Sequence, residues 1–147
     1  MKRKNFMLTE HFSYYEMTRS AWADRHGVDN TPDALQLAAL ENLCRVLLEP
    51  LRREFGPIQI NSGFRSEAVN TGVHGVGASK HLSGEAVDIR LKDAATGRAY
   101  YSFILQHVDF DQLLFEHRRD GAMWLHCSVL LDPSENRHQA FPNYLAK

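Results

Sequence analysis

His81 and Asp88 stand seven residues apart in residues 79–88 (SKHLSGEAVD), with Gly84 between them. An imidazole nitrogen and a carboxylate oxygen are both zinc ligands. Catalytic zinc takes three such protein ligands and keeps a fourth position open. Polar residues open the stretch and EAVDIRL continues it as a strand, so the two side chains end a loop–strand unit and can aim into one cavity. A third ligand is best sought on a strand whose other face is core. In WLHCSV, alternation puts Trp124, His126 and Ser128 on one face and Leu125, Cys127 and Val129 on the apolar other. His126 is the expected third ligand.

A hydrolytic site also needs a base, and its place depends on a turn. Residues 110–116 (FDQLLFE) read as a strand, followed by the turn signal Arg119-Asp120-Gly121. If those three form a loop with Gly121 in the left-handed bulge position, Arg118 pairs with Ala122 and Glu116 with Trp124. Glu116 then lies diagonally beside His126 on the same face, roughly 5–8 Å away at Cβ. If Asp120-Gly121 is instead a two-residue type I′ turn, the register slips by one and Glu116 faces the other way. Glu116 could also simply pair with Arg118 or Arg119 across a solvated turn. His117 is expected to face away from Glu116, into solvent.

A long helix and a few strands must hold these groups. Thr31-Pro32 is a strong helix start, because proline at the first helical position loses no needed N–H. The helix is predicted over residues 32–55, with Leu40, Leu43, Leu47, Leu51 and Phe55 as one buried stripe and a kink or break at Pro50. Before it, Ser13 and Glu16 have capping-box spacing, and Ser20 can cap a short helix, AWADRH, closed by Gly27. After it, residues 58–61 alternate like a strand, SGFRS follows, and EAVN is a short helical segment. Thr96 can cap a helix containing Tyr100, Tyr101, Phe103, Ile104 and Leu105. Residues 1–11 read as a basic lead-in, and the tail from Asp132, with Pro133 and Pro142, as irregular.

At 147 residues, one domain (1–147) can bury a core without disulfides. Apolar residues at 44% and charged residues at 24% are ordinary globular values. A net charge of −1, from 17 basic and 18 acidic side chains, supplies no field for nucleic acid or an anionic membrane. No run of 18 apolar residues can span a bilayer, and the N-terminus has no apolar signal region. Gly72, Gly75 and Gly77 lack phosphate-cradle spacing, and GxGxxG and P-loop patterns are absent. Cys44 and Cys127 sit in apolar patterns and are expected in the core. The eight histidines favour a metal site, while His11, His26, His74, His107 and His138 have no partner pattern and are expected to be structural or at the surface.

SGFRS, then SxHxxGxAxD, then a strand ending in Glu, then WxH together resemble the zinc D-Ala-D-Ala carboxypeptidases and endolysin-type peptidoglycan peptidases. FSYYEMTRS, LLEPLRREFG and ENR add to the likeness, which covers most of the chain. The resemblance implies a Hedgehog/DD-peptidase-like α+β domain, with a small antiparallel sheet carrying a zinc site and packed against helices. It implies Zn2+ on His81, Asp88 and His126, a substrate arginine at Arg65 and the motif serine at Ser79. Arg65 could alternatively hold a structural carboxylate, and Trp124 is either a core aromatic or a wall of the cleft. The implied partners are peptidoglycan stem peptides, cut as a D,D-carboxypeptidase or an L-Ala-D-Glu endopeptidase does, by a protein expected to be monomeric. Two base positions used in that family are filled here by Trp124 and Met123, which leaves Glu116 as the remaining acid. They also keep open a catalytically silent wall-binding or virion domain that retains zinc. Without a signal region, a cytoplasmic enzyme and a phage protein released to the wall fit equally.

Overall fold

A computed structural model describes residues 5–146; residues 1–4 of the basic lead-in lie outside the described part. The first helices, α1 (Tyr14–Thr18) and α2 (Ala21–His26), start where their caps predict. Ser13 and Glu16 close a capping box, Ser20 accepts the Ala23 N–H, and Gly27 ends α2. The long helix starts two residues later than Thr31-Pro32 suggests. Asp33 is its N-cap and exchanges side-chain and backbone bonds with Gln36, while the Thr31 hydroxyl donates to Asp29. A carboxylate capping the free N–H groups and opposing the helix dipole outcompetes the threonine.

That helix runs as α3 (Ala34–Leu43), a π-helical turn (Cys44–Leu48) and α4 (Glu49–Phe55). The interruption expected at Pro50 takes the form of the π turn. Pro50 has no N–H to give the preceding turn, and just before it the Glu49 N–H reaches back five residues to the Cys44 carbonyl. Leu40, Leu43, Leu47, Leu48 and Leu51 are wholly buried, but the stripe stops there. Phe55 is partly exposed and packs on the Tyr100 ring, 4.9 Å away between centroids. Glu49 is a buried polar exception on this helix. It accepts from Thr9, from the His11 N–H and from His11 Nδ1, pinning residues 9–11 to the core.

The sheet has the order β1-β2-β4-β3-β5. β1 (Ile60–Ser62), β2 (Ala86–Arg90), β4 (Met123–Ser128) and β3 (Gln112–His117) pair antiparallel, as expected. The tail, expected to be irregular, instead supplies a strand, β5 (Gln139–Leu145), parallel to β3, so the sheet is mixed. Pro142 is tolerated because β5 is an edge strand with a register irregularity at this point. Arg137 anchors the tail: Nε and Nη2 donate to the two oxygens of Asp111, which also accepts from Ser128 Oγ.

One sheet face is core. Val87, Ile89, Leu113, Leu125 and Cys127 are fully buried and cluster with the leucines of the long helix and with Tyr100 and Ile104 of α6 (Ala94–His107). Asp93, not Thr96, caps α6, accepting the Thr96 N–H at 2.7 Å. Cys44 and Cys127 are free and buried, and burial pushes the Cys44 thiol up to about 12. His117 faces away from Glu116 as alternation requires, but not into solvent. It shares the face of Leu113 and Phe115, and both ring nitrogens are shielded and without hydrogen-bond partners. The core side of this sheet extends further along β3 than polarity alone suggests.

Candidate metal centre and active site

The opposite sheet face carries the polar groups, and the β3–β4 turn sets their register. Gly121 has φ +92°, the Arg118 N–H donates to the Ala122 carbonyl, and the Gly121 N–H donates to the Arg118 carbonyl. This is the three-residue bulged loop, a conformation that favours glycine at position 121. Glu116 therefore pairs with Trp124 across the ladder, and Leu114 with His126. From the other side, Asp88 pairs with His126, Arg90 with Trp124, and Ser62 with Asp88. Asp88, His126, Trp124 and Glu116 thus share one face in adjacent rows.

His81 arrives from a 3-10 turn (Lys80–Ser83) capped by Ser79, whose hydroxyl accepts the His81 N–H at 3.2 Å. His81 is 2% exposed. Its Nδ1 lies 2.7 Å from the Gly63 carbonyl, which can only accept, so Nδ1 carries the proton and Nε2 the lone pair. The Arg65 N–H donates back to the His81 carbonyl, locking the SGFR segment to the turn. Gly63 has no substitute here, because a Cβ would stand 2.4 Å from the Met17 carbonyl oxygen.

The bare Nε2 of His81 is shielded from water, makes no hydrogen bond, and lies 3.4 Å from Asp88 Oδ1. His126 Nδ1 is 2.9 Å from the same oxygen. One ligand atom from each of His81, Asp88 and His126 lies within 4.8 Å of the others, so the group can hold a metal ion. The donor set fits zinc: two imidazole nitrogens, one carboxylate oxygen, and a buried lone pair with nothing else to bind. A second cluster, Glu10, His11 and Glu49, has similar spacing, but both Glu49 oxygens are already spent on Thr9 and His11.

Burial alone would raise the Asp88 carboxyl, but the two imidazoles beside it, with His126 Nδ1 hydrogen-bonded to Oδ1, outweigh that and hold it well below the carboxylate range. For His126, burial works against the charged ring, yet the Asp88 hydrogen bond and the Asp88 and Glu116 charges raise its pKa. Glu116 is pushed up from its ordinary value, first by burial and then by the Asp88 charge. One of its oxygens, Oε2, accepts the Trp124 indole N–H at 2.9 Å. It does not pair with Arg118, which lies 3.4 Å from Asp120 and stacks over the Trp124 ring at 5.6 Å.

Arg65 joins the group through three acceptors. Nε donates to Ser62 Oγ at 3.1 Å, Nη1 to Asn70 Oδ1 at 3.3 Å, and Nη2 to Asp88 Oδ2 at 3.2 Å. The structure thus gathers His81, Asp88, His126, Arg65, Glu116 and Trp124, while the Ser79 oxygen is turned to the His81 backbone. Ser62 and Asn70 went unnoticed in the sequence. The available signal for Asn70 was an asparagine inside α5 (Glu67–Gly72), where its type is disfavoured unless its amide has partners. Chemistry rather than cavity size locates the site, since clefts of about 540 and 640 Å³ elsewhere on the molecule contain none of these residues.

A protein-family model described as Peptidase M15 matches residues 10–128, a span that includes every member of the cluster. A search of curated proteins returns no match.

Proposed function

The chain belongs to the Peptidase M15 family, and from that premise we propose a zinc-dependent peptidase that hydrolyses stem-peptide bonds of bacterial peptidoglycan. The observation that carries this reading is the buried, unpartnered Nε2 of His81 facing Asp88 beside His126. His81, Asp88 and His126 would hold the zinc, which when bound lowers the pKa of a coordinated water toward about 7 and polarises a carbonyl.

The remaining steps fall to the chain's own residues. Glu116 accepts a proton from the attacking water and returns it to the leaving amine, so water adds across the amide and the products are a carboxylate and an amine. Its Oε1 is left for this work while the Trp124 indole N–H holds Oε2. A carboxyl pushed up by burial is a stronger base than an ordinary glutamate and nearer to neutral operating pH. Arg65 presents its unused N–H groups to a substrate carboxylate as a planar fork. The Ser79 oxygen accepts the His81 N–H, leaving its proton for a substrate carbonyl, and Trp124 walls the cleft.

The test is digestion of purified peptidoglycan by wild type and Glu116→Gln, with products identified by mass spectrometry and zinc measured on both. Wild type is expected to release cleaved muropeptides, their masses distinguishing a D-Ala-D-Ala from an L-Ala-D-Glu cut. Glu116→Gln should keep zinc without turnover, and His126→Ala should lose the zinc. Zinc-loaded wild type that binds the wall and cleaves nothing would instead establish the catalytically silent reading.

A further inference from the structure

Arg65 has five N–H groups, and three are committed: Nε to Ser62, one on Nη1 to Asn70 and one on Nη2 to Asp88. One N–H therefore remains on each terminal nitrogen, the number a carboxylate takes in a two-pronged contact. The Asp88 and Ser62 contacts come from neighbouring strands. The third comes from Asn70 on α5, which is 4% exposed. Its amide has a donor and an acceptor side, and both are used. Oδ1 accepts from Arg65 Nη1, while Nδ2 donates to the Val76 carbonyl at 2.8 Å. Its own backbone carbonyl accepts the Gly75 N–H at 2.7 Å.

The loop after α5 thus rests on the same amide that holds the guanidinium. Its contact is close enough that a Cβ on Gly75 would stand 2.0 Å from Asn70 Oδ1 and 3.2 Å from Arg65 Nη1. The loop's outer side is open, with Val76 71% exposed and His74 at φ +60°. A side chain that only filled space at position 70 would leave Nη1 without its acceptor and the Val76 carbonyl without its donor.

We propose that Asn70 is the positioning residue of Arg65. It fixes the rotation of the guanidinium so that the two remaining N–H groups meet a substrate carboxylate, and it ties that geometry to the loop over residues 73–78. This rests on the peptidase reading of the site and adds a determinant of which substrates bind.

The experiment compares wild type, Asn70→Ala and Asn70→Asp on two soluble stem peptides, one with its terminal carboxylate free and one with it amidated. On the free carboxylate, Asn70→Ala is expected to raise KM about tenfold, the loss of one charge-assisted hydrogen bond, with kcat changed far less. On the amidated peptide, wild type and Asn70→Ala should bind alike. Asn70→Asp keeps an acceptor for Nη1 and should recover most of the affinity. Zinc content and circular dichroism should match wild type, and Asn70→Ser replaces Asn70→Ala if the alanine variant does not fold. An unchanged KM in Asn70→Ala, or an equal loss on both peptides, overturns the positioning role while wild-type cleavage keeps the peptidase reading. Wild type that cleaves neither peptide overturns both.

Discussion

Glu116→Gln isolates the proton-accepting role of one oxygen. A glutamine keeps the side chain's length and an acceptor for the Trp124 indole N–H, now 2.9 Å from Glu116 Oε2, so the packing of the β3–β4 face is preserved. Glu116 is not one of the three clustered ligand groups, so metal content should stay at the wild-type level. What is lost is the carboxylate's capacity to take a proton, worth about 10²–10⁴-fold in rate for a positioned general base. At 1.36 kcal/mol per tenfold, the barrier rises by about 3–5 kcal/mol. The loss belongs in kcat, because binding through Arg65 is untouched.

The assay is a pH–rate profile on a soluble stem peptide with zinc quantified in each sample. In wild type the base works only when ionised, so the rate should rise along an acid limb as the Glu116 carboxyl loses its proton. In Glu116→Gln that limb should vanish along with most of the rate. Turnover within twofold of wild type, with the limb unmoved, would refute the base assignment. Loss of zinc together with activity would make Glu116 a structural support of the centre.

Three further perturbations read separate parts of the structure. Trp124→Phe removes the N–H that favours the ionised Glu116, so the carboxyl's pKa rises further and the acid limb of kcat should move to higher pH, with zinc content unchanged. Arg137→Ala leaves the buried Asp111 carboxylate with Ser128 and backbone partners only. With the Arg137 side chain half exposed and partly screened by solvent, urea denaturation at pH 7 should show a loss of stability. Arg137 bonds hold the folded Asp111 carboxyl below its unfolded value, so this stability is fully present above pH ~4 and is lost as pH falls through the lowered folded value. Cys44 and Cys127, buried and with thiols pushed up by burial, should resist alkylation in the native protein and react only after unfolding, as counted by mass spectrometry.

The site was legible where local rules decide it. Period-two alternation placed Trp124 and His126 opposite Leu125 and Cys127, whereas glycine at positive φ suited both the bulged loop and the type I′ turn, and only the observed Arg118–Ala122 pairing puts Glu116 on their face. The caps of α1 and α2 followed from Ser13 and Ser20 for the same reason: each acts within three residues. What escaped depends on contacts distant in sequence. β5 pairs in parallel with a strand far upstream, so no hairpin turn announces it, and its exposed edge residues show no clean alternation. The shielding of His117 and the burial of Glu49 likewise come from packing that no short window contains. At the ends of α3 and α6, Thr31 and Thr96 were plausible caps, and a carboxylate at Asp33 or Asp93 displaced each.

The charge of the site gives its parts a common logic. With both imidazoles neutral, the carboxylates of Asp88 and Glu116 face the single guanidinium of Arg65, leaving one net negative charge. A proton on His126, whose pKa the two carboxylates raise, brings the cluster only to neutrality. A divalent cation reverses it to net positive. Arg65 is meanwhile partly committed, since Nη2 is already on Asp88 Oδ2. In the metal-free protein a carboxylate-bearing peptide would therefore meet a site whose one cation is largely answered. In the proposed reading, the two free N–H groups of Arg65 would become an effective anion clamp once the surrounding charge has changed sign. Arg65 thus holds a structural carboxylate, Asp88, through one N–H, with Ser62 and Asn70 each taking another, and in the proposed reading the two that remain would serve the substrate carboxylate.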